Sequence, residues 1–120
     1  MGVKRAAEKD VQKLCIQWLA SWGAFPVRVN SGAMKIDERF VRFNSEPGCS
    51  DVLVCLPPDG RMLALEVKKP GRDKTSAKRK AEQASFRQKV VKAGGIAVVV
   101  RSLDELVEDL AAEGYSRAQA

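Results

Sequence analysis

Residues 51–68 read DVLVCLPPDGRMLALEVK, and the fold turns on how this stretch is laid out. Two runs rich in Val and Leu flank Pro57-Pro58-Asp59-Gly60, a composition that suits a tight reversal of the chain. Residues 51–56 and 62–68 are therefore expected to be antiparallel strands of one hairpin. Pairing Leu56 with Arg61 across the turn sets a register in which Asp51 falls directly opposite Glu66, with Cβ atoms roughly 4.5–5.5 Å apart. Period-two alternation then puts Lys68 on the face of Glu66 and turns Val67 to the other face.

Two carboxylates that close repel each other unless a proton or a cation lies between them, and oxygen-only ligands suit Mg²⁺ or Mn²⁺. Beside such a pair, the Lys68 ammonium is placed to orient or deprotonate a water, or to offset charge on a phosphate. The sequence leaves a second layout open. A register slipped by one residue sends the two acids to opposite faces, where each is a solvated strand-end charge.

Upstream of the hairpin, residues 8–22 read as a helix, because Ala7, Val11, Leu14, Cys15, Trp18, Leu19 and Trp22 recur at helical spacing until Gly23. Glu8 lies at the edge of that stripe, facing inward or sideways. It is either a third oxygen ligand or a helix N-terminal acid that complements the macrodipole. Residues 25–30 (FPVRVN) and 39–44 (RFVRFN) alternate as short strands, with SGAMKIDE between them as a turn or hairpin loop and SEPGCS after them as a loop.

Downstream, KPGRDKTS is a basic Gly/Pro loop, and a helix follows over residues 77–93. Gln83 shares a face of that helix with Phe86 and Val90, so its amide points to the core side. There it either holds Lys68 or a water, or sits at a solvated rim. Gly94-Gly95 closes the helix and releases the apolar run IAVVV at 96–100, a buried strand by length and branching. Ser102 with Glu105 opens a last helix, whose Leu103, Leu106, Val107 and Leu110 face inward before Gly114. The whole is an α/β chain of 120 residues, expected as a single domain over 1–120 with a small mixed sheet flanked by helices.

Composition removes several chemistries. The chain has no histidine, which excludes a Ser/His/Asp or Cys/His relay and a His-ligated zinc site. Its three cysteines, Cys15, Cys49 and Cys55, cannot complete a four-thiolate site, so no zinc is expected. They read as reduced thiols in a cytoplasmic setting. Apolar runs are a few residues long, far from the roughly 20 that span a bilayer, so no membrane association is expected. Charge is uneven: within a net +6, residues 68–80 hold seven bases and one acid, whereas the chain from Arg101 onward is acidic. Such a segment either faces a polyanion, most commonly nucleic acid, or is a solvated lysine-rich loop.

Gly48-Cys49-Ser50-Asp51, then Glu66-Val67-Lys68, then Gln83 with Phe86, and Gly94-Gly95 closing the helix, together resemble the VRR-NUC family, a branch of the PD-(D/E)xK nuclease superfamily. The likeness runs from Glu8 to about Val100. Pro47-Gly48 with Ser50-Asp51 stands where the first acidic motif belongs, and Glu66-x-Lys68 is the second. The family's first-helix acid falls on Glu8 and its glutamine on Gln83. This resemblance implies a restriction-endonuclease-like core in α-β-β-β-α-β-α order. It also implies Mg²⁺ or Mn²⁺ held by Asp51 and Glu66 with Glu8 and the Val67 carbonyl, and Lys68 acting on the attacking water with Gln83 positioning it. Under that reading Arg28, Arg42, Lys69, Arg72, Lys74, Lys78, Arg79 and Lys80 are candidate phosphate contacts in DNA. Single-domain members of phage origin look like homodimers that cut branched DNA such as Holliday junctions, so a metal-dependent structure-selective DNA endonuclease is expected. Three other functions stay open. One is a non-catalytic DNA-binding protein; another is a nickase, flap or single-strand cutter, or partner-dependent subunit, on the same core. The third is a metal-binding regulatory domain, which the bases of residues 68–80 disfavour.

Overall fold

A computed structural model gives the architecture of residues 8–29, 33–42, 46–69, 71 and 75–116, with residues 33–35 and 40–42 described by their backbone alone. Along the chain run α1 (Glu8–Ser21), β1 (Phe25–Arg28), β2 (Ala33–Ile36), β3 (Arg39–Arg42), β4 (Val52–Leu56), β5 (Arg61–Val67), α2 (Ala77–Lys92), β6 (Ile96–Val100) and α3 (Leu103–Ala112). The central turn closes with the Gly60 amide donating to the Leu56 carbonyl at 2.7 Å, and Gly60 supplies the left-handed backbone there, φ 78°. β4 and β5 pair with Leu56 opposite Arg61 and Val52 opposite Leu65, the register expected from the turn. β1 adds antiparallel to β4 and β6 parallel to β5, giving a mixed sheet in the order β1-β4-β5-β6. A parallel neighbour requires a crossover, and α2 is that crossover.

Period two sorts the faces of this sheet. Val52, Val54 and Leu56, Leu63, Leu65 and Val67, and Ile96, Val98 and Val100 share one side. They join Val11, Cys15 and Leu19 of α1 and Leu106 and Leu110 of α3 in one core. Each such Leu or Val contributes about 1.5–3 kcal/mol through burial. α2 lies over β5 and β6 on the opposite side, the side of Glu66. The result is a mixed α/β fold with helices on both faces. Without the β2–β3 pair, the chain order is the α-β-β-β-α-β-α of a restriction-endonuclease-like core.

Several local expectations change. The stretch expected as a loop between the second and third apolar segments contains β2, which pairs with β3 as a separate two-stranded sheet. Its turn residues Asp37 and Glu38 both have positive φ, 48° and 67°. Hairpin turns of this kind favour Asn-Gly or Asp-Gly, so an Asp-Glu turn leaves no compositional signal. The strands expected over 25–30 and 39–44 end at Arg28 and Arg42, and residues 30, 43 and 44 lie outside the described residues. Leu14 is half exposed rather than inward, because α1 buries the narrower stripe Val11, Cys15 and Leu19. Val107 likewise lies off the Leu106–Leu110 face of α3. The last helix is capped as its Ser predicts, Ser102 Oγ accepting from the Glu105 amide at 3.2 Å. The Glu105 carboxylate, however, takes the Arg101 amide at 2.8 Å instead of that of Ser102. Among the described residues no helix is long and apolar enough to cross a membrane.

Candidate active site

The β1–β4 ladder extends beyond the end of β1 and the start of β4: the Val29 amide donates to the Asp51 carbonyl at 2.7 Å. Asp51 is thereby held as a continuation of β4, and its own amide donates to Glu66 Oε2 at 3.3 Å. The two acids therefore meet as the hairpin register requires, Glu66 buried and Asp51 half-buried at the site's rim.

Gln83 of α2 lies over them, itself buried. Its Nε2 donates to Glu66 Oε1 at 3.2 Å, and its Oε1 accepts from Lys68 Nζ at 2.9 Å. A neutral amide is the side chain for this position because it can donate to a carboxylate and accept from an ammonium at once. A carboxylate here would bring a third negative charge. Lys68 Nζ stands 3.6 Å from Glu66 Oε1 and donates to Thr75 Oγ1 at 3.4 Å.

Burial is the main force on Glu66, followed by the negative charge of Asp51; together they push its carboxyl up from 4.5 to about 7. Lys68, the Asp51 amide and Arg79 pull the other way and do not overcome the desolvation. The ion pair with Lys68 is thus too weak an opponent of burial to hold the Glu66 carboxyl in the usual carboxylate range. An oxygen-only pair held in this condition fits a hard divalent cation, which would let both carboxylates ionise together. Among the described residues no three Cys, Asp or Glu side chains gather into a metal-sized group, so an ion held here would have the Asp51–Glu66 pair as its side-chain donors and would complete its shell with main-chain oxygens and water.

The loop that delivers Asp51 is pinned to α2. Gly48 has φ 75°, and a Cβ there would fall 2.2 Å from the Glu82 carbonyl oxygen and 2.6 Å from the Gln83 amide. Backbone packs on backbone at this point, and only glycine fits. The buried Cys49 and Ser50 follow directly. Loop and helix thus register Asp51 against Gln83.

The remaining expected residues scatter. Glu8 is exposed at the start of α1 and forms no three-carboxylate group with Asp51 and Glu66; of its two readings, it lies where a helix-initial acid complements the dipole. Val67 has its side chain in the core, leaving its main chain between Glu66 and Lys68. Arg28 is exposed but pairs with Val52, which puts it on the face opposite Asp51. Lys69 is exposed beside Lys68, and Lys78, Arg79 and Lys80 are exposed on the first turn of α2, where Arg79 is close enough to act on Glu66. Arg42 pairs with Ala33 in the separate hairpin; Arg72 and Lys74 lie outside the described residues. Sequence reasoning missed Thr75 and the close approach at Gly48. Ser76 was findable as a Ser preceding a helix, and its Oγ does cap α2 by accepting from the Arg79 amide at 3.2 Å.

No family model matches the sequence, and no curated protein does. Among solved structures, one described as "VRR_NUC domain" superposes with a TM-score of 0.60 at 23% identity, over 92% of this chain and 100% of that one. A second, described as "VRR_NUC domain protein", gives 0.53 at 19% identity over 92% and 89%. The fold is therefore that of a VRR_NUC domain across almost the whole chain.

Proposed function

We propose that this protein is a VRR-NUC nuclease of the single-domain, phage type: a metal-dependent, structure-selective DNA endonuclease that hydrolyses phosphodiester bonds in branched DNA such as Holliday junctions. The observation that carries the reading is the Asp51–Glu66–Gln83–Lys68 network, a carboxylate pair with Glu66 buried and Asp51 at the rim, and an amide-held ammonium beside it.

In this reading Asp51, Glu66 and the Val67 carbonyl hold Mg²⁺ or Mn²⁺, and Glu8 is left out of the set because it stands exposed at the helix start. The bound ion supplies a water of lowered pKa and charge stabilisation at the phosphate. Lys68 orients the attacking water and offsets charge developing on the phosphate oxygens. Gln83 fixes Lys68 and Glu66 relative to each other, so that the ammonium and the carboxylate keep their spacing while DNA enters and leaves.

The first turn of α2 supports a polyanionic substrate. It contains no acid, while Lys78, Arg79 and Lys80 lie on it, so like charges sit at the positive end of the helix dipole. That arrangement costs the free protein stability, and a phosphate placed there offsets it. We take Lys69, Lys78, Arg79 and Lys80 as the main phosphate contacts, with Arg42, Arg72 and Lys74 as further ones; Arg28, on the sheet face opposite Asp51, is left out. A homodimer would present two such sites to the two strands of a symmetric junction. Its thiols fit a reducing cytoplasm.

The test is cleavage of a labelled four-way junction against matched linear duplex, with Mg²⁺, Mn²⁺ or chelator, using wild type and Glu66→Gln. Metal-dependent paired cuts on the junction, absent in the variant, support the proposal. Cuts on flaps or single strands keep the nuclease and discard the junction preference. DNA binding without cutting under every condition points to the non-catalytic reading.

A further inference from the structure

Lys68 leaves β5 with its amide donating to the Val100 carbonyl at 2.9 Å, so its main chain is fixed by β6. Four side-chain carbons beyond, the ammonium still has rotational freedom that the strand does not control. Three oxygens meet it: Gln83 Oε1 at 2.9 Å, Thr75 Oγ1 at 3.4 Å and Glu66 Oε1 at 3.6 Å. Two of these oxygens, on Gln83 and Thr75, accept its N–H groups from separate segments, and the Glu66 carboxylate adds an ionic contact, so the ammonium's rotation is limited as well as its position. Gln83 and Glu66 approach from α2 and from Lys68's own strand. Thr75 approaches from neither, since it immediately precedes Ser76, the N-cap of α2. Its backbone is set by that cap, and its branched Cβ limits the hydroxyl to few rotamers.

We propose that Thr75 is a positioning residue for Lys68, holding the ammonium beside Glu66 in the orientation that the reaction uses. The inference rests on the nuclease reading of this site. It assigns a role to a hydroxyl on the segment between the strand and the helix, where no periodic pattern points to it.

The experiment compares wild type with Thr75→Val and Thr75→Ser on the labelled junction in Mg²⁺. In parallel, the side-chain NH₃⁺ signals of the ¹⁵N-labelled, metal-free full chain are recorded, that of Lys68 being assigned by its loss in Lys68→Arg. Thr75→Val is expected to lower kcat about tenfold with KM and the melting temperature unchanged, a charged hydrogen bond having been removed. Thr75→Ser should restore it. The Lys68 signal should broaden in the Val variant and persist in the Ser variant. Thr75→Ala serves as the hydroxyl-free variant should the Val form fail to fold. Wild-type kcat in the hydroxyl-free variant overturns the proposal, with or without a change in the Lys68 signal. If wild type cuts no nucleic acid, the nuclease reading fails, and the NH₃⁺ spectra alone decide whether Thr75 holds Lys68.

Discussion

Gly48 and Gln83 meet backbone to backbone: a Cβ on Gly48 would stand 2.6 Å from the Gln83 amide nitrogen and closer still to the Glu82 carbonyl oxygen. This contact carries the loop bearing Asp51 onto the helix bearing Gln83. The first expected outcome follows from it. Gly48→Ala must displace α2 or the loop and also hold a side chain at φ 75°. It should cost about 2–4 kcal/mol, combining overpacking with left-handed strain. Urea unfolding checks the stability, and cleavage assays at a temperature where the variant is folded should show a loss of rate, because Asp51 and Gln83 move apart. A variant as stable and active as wild type would mean that the loop moves without consequence for the site.

Stability of the metal-free protein should fall as pH rises from about 4.5 to about 7 because of Glu66. Its carboxyl is raised in the folded state to about 7, from 4.5 in an exposed setting. The folded protein therefore holds this proton over a range where the unfolded chain has released it. The associated stabilisation is complete below about pH 4.5, declines as pH rises, and is gone above about 7. The full span is about 3 kcal/mol at 1.36 kcal/mol per pH unit. Glu66→Gln cannot titrate, so its stability relative to wild type should rise over this window and level off above it. Urea unfolding at several pH values checks this, and a constant difference between the two proteins would show that Glu66 ionises normally. Adding Mg²⁺ at pH 8 should stabilise wild type and leave Glu66→Gln nearly unaffected.

How much of this was readable beforehand depends on where each constraint is stored. The Asp51–Glu66 opposition was legible because a short Pro/Asp/Gly turn and strict alternation fix a hairpin register locally. The Lys68 face followed from the same period. β2 was not legible: Ala33–Ile36 is four residues long, flanked by residues of loop composition, and its turn carries no glycine. Glu8 sits at the margin of an apolar stripe, and which margin is buried depends on how α1 lands on the sheet, a tertiary matter. Thr75 reaches Lys68 from a segment without periodicity, so no spacing rule could point to it.

Asp51→Asn is expected to abolish cleavage while leaving DNA affinity similar or tighter, since a negative charge beside the proposed phosphate path is removed. It should also lower the Glu66 pKa, because the Asp51 charge is the second cause of its elevation. Carbonyl ¹³C titration of Glu66 and a parallel binding isotherm measure the two effects. Retained cleavage would take Asp51 out of the proposed metal-holding pair.

Replacing Lys78, Arg79 and Lys80 together by Gln should weaken DNA binding on every sequence alike and flatten its salt dependence. If each contacts one phosphate, the slope of log K against log salt should fall in magnitude by roughly 2–3. Arg79 also lowers the Glu66 pKa, so its loss should move the Glu66 titration upward even without DNA. An unchanged salt slope would place the DNA elsewhere on the surface.

Because Gln83 touches both Glu66 and Lys68, it is expected to act through Lys68 rather than beside it. Lys68→Ala should lose most of the rate with folding intact, and Gln83→Ala should lose less, since the ammonium keeps two of its three oxygen contacts. Introducing Gln83→Ala into a Lys68→Ala background should then cost little more, because the group that Gln83 positions is gone. Independent actions predict instead that the two losses multiply. A double variant slower than Lys68→Ala by the full Gln83→Ala factor would show that the amide serves the Glu66 carboxylate, and that its bond to Lys68 is incidental to the rate.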